Sequence, residues 1–162
     1  MRFRLVALDK VGNPVGAIPE MAQAILEANE ETARLLRRIG YEPPWTGYVS
    51  LADDVAVGGG AFVGPPRHSR VEIAYYTLVE NEGRGFGRRT AAELIRIARL
   101  AIPGITVFAK TLPSANASTT ILQNLGFARA GLVRDEEIGG AWLWELTAHR
   151  MQSPLESKKP TQ

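Results

Sequence analysis

Hydrophobic and polar residues alternate from Arg2 to Leu8, with Phe3, Leu5 and Ala7 set against Arg2, Arg4 and Val6, which predicts a strand. Val11 to Pro19 carries Gly12, Asn13, Pro14, Gly16 and Pro19 and reads as a connection. From Glu20 to Ile39 the period lengthens. Met21, Ile25, Ala28, Thr32, Leu35, Leu36 and Ile39 share one helical face, while Glu27, Glu30, Glu31, Arg34 and Arg38 fall elsewhere. Gly40 then suits a helix end, and Pro43-Pro44 forbids continuation.

The pattern next turns to strands: Trp45–Leu51, a turn at Asp53-Asp54, and Val55–Val63 with Gly58-Gly59-Gly60 in its interior. Residues 65–70 form a polar loop. Val71–Val79 is the strongest strand signal in the chain, rich in Val, Ile and Tyr. After Asn81–Gly87 a helix runs to about Ala101, with Ala91, Leu94, Ile95, Ala98 and Ile102 on its apolar face and Pro103-Gly104 ending it. A strand at Ile105–Ala109, a short helix at Ala115–Leu125 stopped by Gly126, and strands at Phe127–Val133 and Ala141–Leu146 complete the series. Residues 1–150 read as one domain, with no internal repeat and no interior linker, and 151–162 as a polar tail. The strand–helix–strand around Gly83 implies a parallel crossover, and the strands from Trp45 to Val79 a meander. Together they predict a mixed α/β (α+β) sheet domain.

Composition narrows this picture. The 162 residues suffice for one ordinary domain, and 45% hydrophobic with 22% charged residues is a soluble globular profile. Zero cysteines rule out disulfides, thiolate metal sites and an acyl-cysteine intermediate. The net charge of +2, with arginines scattered, leaves no nucleic-acid footprint. No apolar run approaches the roughly 20 residues of a membrane span, and Met1–Asp9 is not a signal-peptide core, so a cytoplasmic protein without a membrane partner is expected. His68 and His149 have no acidic partner at metal spacing, and no metal site is expected.

The candidate chemistry starts at Glu82-Gly83-Arg84-Gly85-Phe86-Gly87-Arg88-Arg89, between the best strand and the best helix. Alternate glycines let the backbone take positive φ and approach a ligand. The free N–H groups and dipole of the helix start favour a diphosphate, with Arg84, Arg88 and Arg89 adding charge. A ligand-free tight turn explains the glycines equally well. A dinucleotide turn fits worse, because Arg88 follows Gly87 and antiparallel-looking strands precede the segment. ATP is disfavoured too, since no Gly-Lys-Ser/Thr follows.

These residues resemble the GNAT superfamily of acetyl-CoA-dependent N-acetyltransferases. Its cofactor motif, Arg/Gln-x-x-Gly-x-Gly/Ala, is matched at Gly85 and Gly87, with Glu82 where Arg or Gln is usual. Asn116-Ala117-Ser118 followed by Leu125-Gly126-Phe127 is similar to the family's Asn-x-x-Ser helix ending in Leu-Gly-Phe, at the expected spacing from the first block. Val71–Tyr76 and the Asn-Ala-Ser block look most like the branch of the ribosomal-protein alanine acetyltransferases. The resemblance runs from the first strand to Trp144-Glu145-Leu146.

The resemblance implies a single GNAT-like domain. Its central, mixed and mostly antiparallel sheet has six to seven strands, splayed at the cofactor site and flanked by helices. It implies transfer of acetyl from acetyl-CoA to a primary amine by direct attack in a ternary complex. The strand end at Thr77, Leu78 and Val79 would pair with the pantetheine arm, with a backbone N–H near Leu78 as oxyanion donor. Glu82, Gly83, Arg84, Gly85, Phe86, Gly87, Arg88 and Arg89 would hold the pyrophosphate. Asn116 would touch the pantetheine or thioester end, and Ser118 the sulfur.

Glu72 is the first candidate for the base, since its apolar neighbours Val71 and Ile73 suit a partly desolvated carboxylate. A solvated strand glutamate is the alternative, and Asp135 and Glu137 come next. Many relatives carry a Tyr acid five residues before the Phe of Leu-Gly-Phe, where Leu122 stands here. Ser118, Tyr75 or Tyr76 are substitutes, or the thiolate leaves unaided. Trp142 and Trp144 suit core or dimer packing, and Trp45 and Tyr48 the core. Ile18–Ala24 could select the acceptor, a small amine or a protein N-terminus. A non-catalytic acetyl-CoA-binding sensor is the alternative, favoured by Glu82 and Leu122. The exposed final strand could pair across a homodimer.

Overall fold

In the computed structural model, which describes residues 1–148, the elements are β1 (Phe3–Ala7), α1 (Gln23–Ile39), β2 (Gly47–Ala52), β3 (Val55–Phe62), β4 (Arg70–Thr77), α2 (Phe86–Ala101), β5 (Thr106–Thr111), α3 (Ala117–Asn124), β6 (Ala128–Asp135) and β7 (Gly139–Leu146). The segment 151–162 and His149 lie outside the described residues. One sheet of seven strands has the order β1-β2-β3-β4-β5-β7-β6. All neighbours are antiparallel except β4 and β5, which α2 joins as a parallel crossover. The expected mixed, mostly antiparallel sheet is therefore found.

Alternation along β4 and β5 divides the core between two faces. Val71, Ile73, Val107 and Ala109 meet Ala91, Leu94, Ile95 and Ala98 of α2 and Leu122 of α3. On the other face Val6, Val49 and Leu51 pack with Ile25 of α1. The buried stripe of α1 is Ile25, Asn29, Ala33 and Leu36, rotated from the expected one. The cause is the close approach of the Gly12 loop, where an added Cβ would lie 2.8 Å from the Asn29 carbonyl oxygen. Asn29 and Ala33 face that loop, the Ala33 Cβ lying 3.2 Å from the same added atom. Ser50 and Thr90, both buried, hydrogen-bond at 2.7 Å. Because Thr90 Oγ1 already donates to the Phe86 carbonyl, Ser50 is the donor to Thr90 and ties β2 to the first turn of α2.

Several boundaries differ from the expected ones. α1 begins at Gln23 rather than Glu20, with Ala22 as a cap that offers no side-chain acceptor. β4 stops at Thr77, and Val79–Asn81 forms a short 3-10 turn instead of continuing the strand. Asp135 closes β6 opposite Gly139 rather than standing in the turn.

The three glycines of β3 are sites of close approach. A Cβ on Gly58 would overlap the Tyr76 carbonyl oxygen and sit 3.0 Å from the Thr77 Cα, both backbone of β4. Gly58→Ala is therefore expected to push β3 from β4 and to destabilise the protein by about 1–3 kcal/mol. Urea denaturation would measure this, and an unchanged midpoint would show that the strands yield without cost.

Candidate functional site

The sheet opens between β4 and β5. Their pairing comprises Arg70 with Thr106, Val71 with Val107 and Glu72 with Phe108, and ends there although β4 continues to Thr77. On its other edge β4 stays paired with β3 from Ile73 to Thr77. The Glu72 carbonyl accepts the Val63 N–H, and the Leu78 N–H donates to the Val57 carbonyl at 2.9 Å. Backbone groups of alternate residues point to opposite edges of a strand. Those of Tyr75 and Thr77 thus face the opening. This narrows the expected donor near Leu78. The Leu78 N–H is committed to β3 and the Leu78 side chain is buried, so the donors that face the opening belong to Tyr75 and Thr77.

The glycine segment meets the end of β4 at one point. A Cβ on Gly87 would lie 3.2 Å from Ile121 Cδ1 of α3, 3.4 Å from Thr77 Oγ1 and 3.9 Å from Tyr75 Cδ2. The first turn of α2 thus sits close to β4 and α3, with room for little more than a Cβ. Gly83 (φ 77°) and Gly85 (φ 82°) are left-handed, and added Cβ atoms there would meet nothing within 4 Å. Gly85 caps α2 without a side chain. The first N–H groups of the helix therefore keep no intrahelical partner, an arrangement suited to an anion.

Phe86 is buried and stacks with Phe3 at 6.3 Å between ring centroids, anchoring this turn to β1. The Arg84 guanidinium lies 4.9 Å from the Phe86 ring centroid. Glu82, Arg84, Arg88 and Arg89, in or beside this turn, are exposed. Val79 is 81% exposed beyond the strand end. A diphosphate fits this donor set: open backbone N–H groups, a helix N-terminus and three arginines.

α3 starts beside this point with Asn116 as its cap. Asn116 Oδ1 accepts the Thr119 N–H at 3.1 Å, and Thr119 Oγ1 accepts the Asn116 N–H at 2.9 Å. The Asn116 side-chain oxygen is thus engaged by the helix, which leaves its NH2 group to serve a ligand. Ser118 stands in the first turn of α3, half-buried. Leu122, where a tyrosine is usual, is fully buried in the core. Tyr75 and Tyr76 point to opposite faces of β4, and both hydroxyls are buried without a hydrogen-bond partner among the described residues. Burial raises both, Tyr76 to about 12.

Glu72 lies on the face opposite α2. Its Oε1 is 3.4 Å from Lys110 Nζ of β5, which is also 3.6 Å from Asp135 Oδ2 of β6. Burial pushes the Glu72 carboxyl above its ordinary value. Lys110 pulls it down without cancelling that rise, and Asp135 and Glu137 add to it. Burial raises Asp135 as well, but the N–H groups of Glu137 and Ile138 and the charge of Lys110 outweigh it and hold Asp135 below its ordinary value. The structure thus brings together Glu72, Asp135 and Glu137, three candidates spread over 66 positions of sequence. Lys110 was missed. Its signal was alternation along β5, which puts Phe108 and Lys110 on the Glu72 face.

A groove of about 460 Å³ between α3 and β6–β7, lined among others by Thr119, Gln123, Arg129, Trp142 and Trp144, contains no predicted site residue. Trp144 is core and donates to Thr111 Oγ1 at 3.0 Å. Trp45 and Tyr48 are core as well, each edge-on to Phe62. Among the described residues no cluster of three metal-ligating side chains occurs, and no helix is long and apolar enough to cross a membrane.

No family model matches the sequence, and no curated protein matches it. Solved structures do match. A chimera of the spermidine N-acetyltransferase SpeG from Vibrio cholerae and hSSAT is 13% identical with a TM-score of 0.65, covering 92% of this chain and 97% of that one. The ribosomal-protein-S5-alanine acetyltransferase from Vibrio fischeri is 17% identical with a TM-score of 0.61, covering 80% and 77%. Mycobacterium smegmatis RimJ, in complex with CoA-disulfide, is 19% identical with a TM-score of 0.62, covering 80% and 69%. The chain has the fold of the GNAT acetyltransferases.

Proposed function

We propose that the protein is an acetyl-CoA-dependent N-acetyltransferase acting on a primary amine. The observation that carries this reading is the opening of the sheet after Glu72, directly beside a glycine-built helix start. The cofactor supplies an acetyl group activated as a thioester. Gly83, Arg84, Gly85, Phe86, Gly87 and Arg88 would hold its pyrophosphate, with Glu82 at the rim. The backbone of Tyr75 and Thr77 would pair with the pantetheine arm as an added strand, with Val79 beyond its end, while the expected pairing at Leu78 is dropped because its N–H and carbonyl are already bonded to Val57 and Asn81. The distance from Thr77 to Glu72 is five residues, about 16 Å, comparable with an extended pantetheine arm. Asn116 would donate to that arm and Ser118 would stand near the sulfur.

Glu72 would take the proton that an ammonium must lose before it can attack, directly or through one water. Its partial burial suits this work, because a base is most effective when its pKa lies near the operating pH. No residue need be acylated, in keeping with a chain that has no cysteine. The similar structures include proteins named for spermidine and for a ribosomal-protein alanine. Small amines and protein N-termini both stay within the proposal, as does a cytoplasmic location; a homodimer paired through the final strand does not, because β7 lies between β5 and β6, and β6 is the edge that would have to pair instead.

Thermal unfolding with acetyl-CoA, CoA, ATP and NAD side by side tests the cofactor. A ligand bound by the folded state alone adds about 2.7 kcal/mol at a hundredfold excess over its Kd. Both CoA forms are expected to raise the Tm, and ATP and NAD to leave it in place. An unmoved Tm at saturating CoA would remove the acetyltransferase reading. Binding without thiol release across a panel of amines would favour a non-catalytic acetyl-CoA sensor.

A further inference from the structure

We infer that Lys110 is a positioning residue for the proposed base, holding the Glu72 carboxylate on the face of the sheet opposite α2 while itself held by Asp135. This rests on the acetyltransferase reading. Three strands contribute one group each: Glu72 from β4, Lys110 from β5 and Asp135 from the end of β6. The arrangement is anchored away from the ligand. Asp135 Oδ1 accepts the N–H groups of Glu137 and Ile138 at 2.9 and 3.2 Å, which fixes the turn into β7 and aims Oδ2 at Lys110.

The other charges on this face are accounted for. Arg70 of β4 pairs with Glu145 of β7 at 3.2 Å, and Arg70 also lies over the Phe108 ring, so this pair leaves no net charge for Glu72. Glu137, on the turn after β6, acts on Glu72 as a like charge. Among the described residues Lys110 is thus the cation that the structure pairs with Glu72.

The chemistry gives the pairing a purpose. Glu72 accepts a proton only when ionised, and its surroundings disfavour that form through burial and through Asp135 and Glu137. Lys110 offsets this. Because its ammonium is shared between two carboxylates at 3.4 and 3.6 Å, neither contact is a tight one-to-one pair. Glu72 is kept ionised enough to act and basic enough to accept. Lys110 would transfer no proton itself.

The test follows the Glu72 carboxyl by 13C NMR in the full chain, comparing wild type with K110M and K110R, alongside the pH profile of kcat/KM for any amine found to be acetylated. In K110M the Glu72 midpoint is expected to move to higher pH, and the acid limb of kcat/KM to move with it, so that activity on that limb falls about tenfold. K110R is expected to restore both. An unmoved Glu72 midpoint in K110M overturns the proposal. A midpoint that moves while the acid limb stays in place also overturns it, since Lys110 would then act on a carboxylate that is not the base. The carboxyl titration needs no acceptor. If the protein acetylates no amine, a moved midpoint shows the Lys110–Glu72 coupling intact and places the failure on the acetyltransferase reading.

Discussion

Glu72→Gln is expected to lower kcat for acetyl transfer by about 10²–10⁴-fold, with CoA affinity unchanged. The amide keeps the shape of the side chain and removes its capacity to take a proton. Glu72 lies on the face away from α2, five residues before Thr77, so the substitution leaves the glycine segment untouched. Burial, opposed by Lys110, raises the Glu72 carboxyl, so the acid limb of the wild-type profile should lie above the ordinary carboxylate range and should vanish in the variant.

The same shift bears on stability. A carboxyl raised in the folded chain holds its proton more tightly there than in the unfolded chain. Its contribution is present at low pH and is lost as pH rises from the unfolded value through the raised folded one. Above that window the ionised group costs stability, and the glutamine avoids this cost. Urea titrations at pH 4 to 8 should show the wild type losing stability relative to Glu72→Gln across the window. A constant difference, together with an unaltered kcat, would remove Glu72 from the mechanism.

Gly87→Val is expected to weaken CoA binding at least 100-fold, about 2.7 kcal/mol, and to destabilise the fold by about 1–3 kcal/mol. A Cβ alone would press on Ile121 Cδ1 at 3.2 Å and touch Thr77 Oγ1 at 3.4 Å, and the valine methyl groups would reach further into the junction of β4, α2 and α3. Either α2 withdraws from β4 or the methyl groups occupy the floor of the opening, and both disturb the place proposed for the arm. Gly104→Val provides the comparison, because Gly104 follows the far end of α2 and an added Cβ there meets nothing within 4 Å. Calorimetry with CoA, with folding checked by circular dichroism, measures the effect. A folded Gly87→Val protein with wild-type affinity would place the cofactor elsewhere.

Much of the frame was legible as pattern. Period-2 runs gave the strands and period-3.6 runs the helices, because each element must turn one apolar face inward. The turn at Gly83 to Gly87 was legible because glycine takes the left-handed backbone seen at Gly83 and Gly85 at the least cost. Less legible were the ends. β4 read as continuing to Val79 because Leu78 and Val79 are good strand residues, yet the chain leaves the sheet after Thr77 and turns at Val79–Asn81. The stripe of α1 was misjudged because loop packing at Gly12, rather than hydrophobicity, selected Asn29 and Ala33.

The sequence by itself determined which residues can make strands, where a glycine-built helix start can form, and that no cysteine thiol takes part, since all three depend on local backbone preference or on composition. Tertiary structure alone decided that β4 and β5 part after Glu72, because pairing between strands separated by a helix depends on how that helix packs. It also decided which amide groups face the opening, since the bond from Leu78 to Val57 belongs to β3 rather than to β4. And it brought Glu72, Lys110 and Asp135 to one place, because residues far apart in the chain share a face only once register and strand order are fixed.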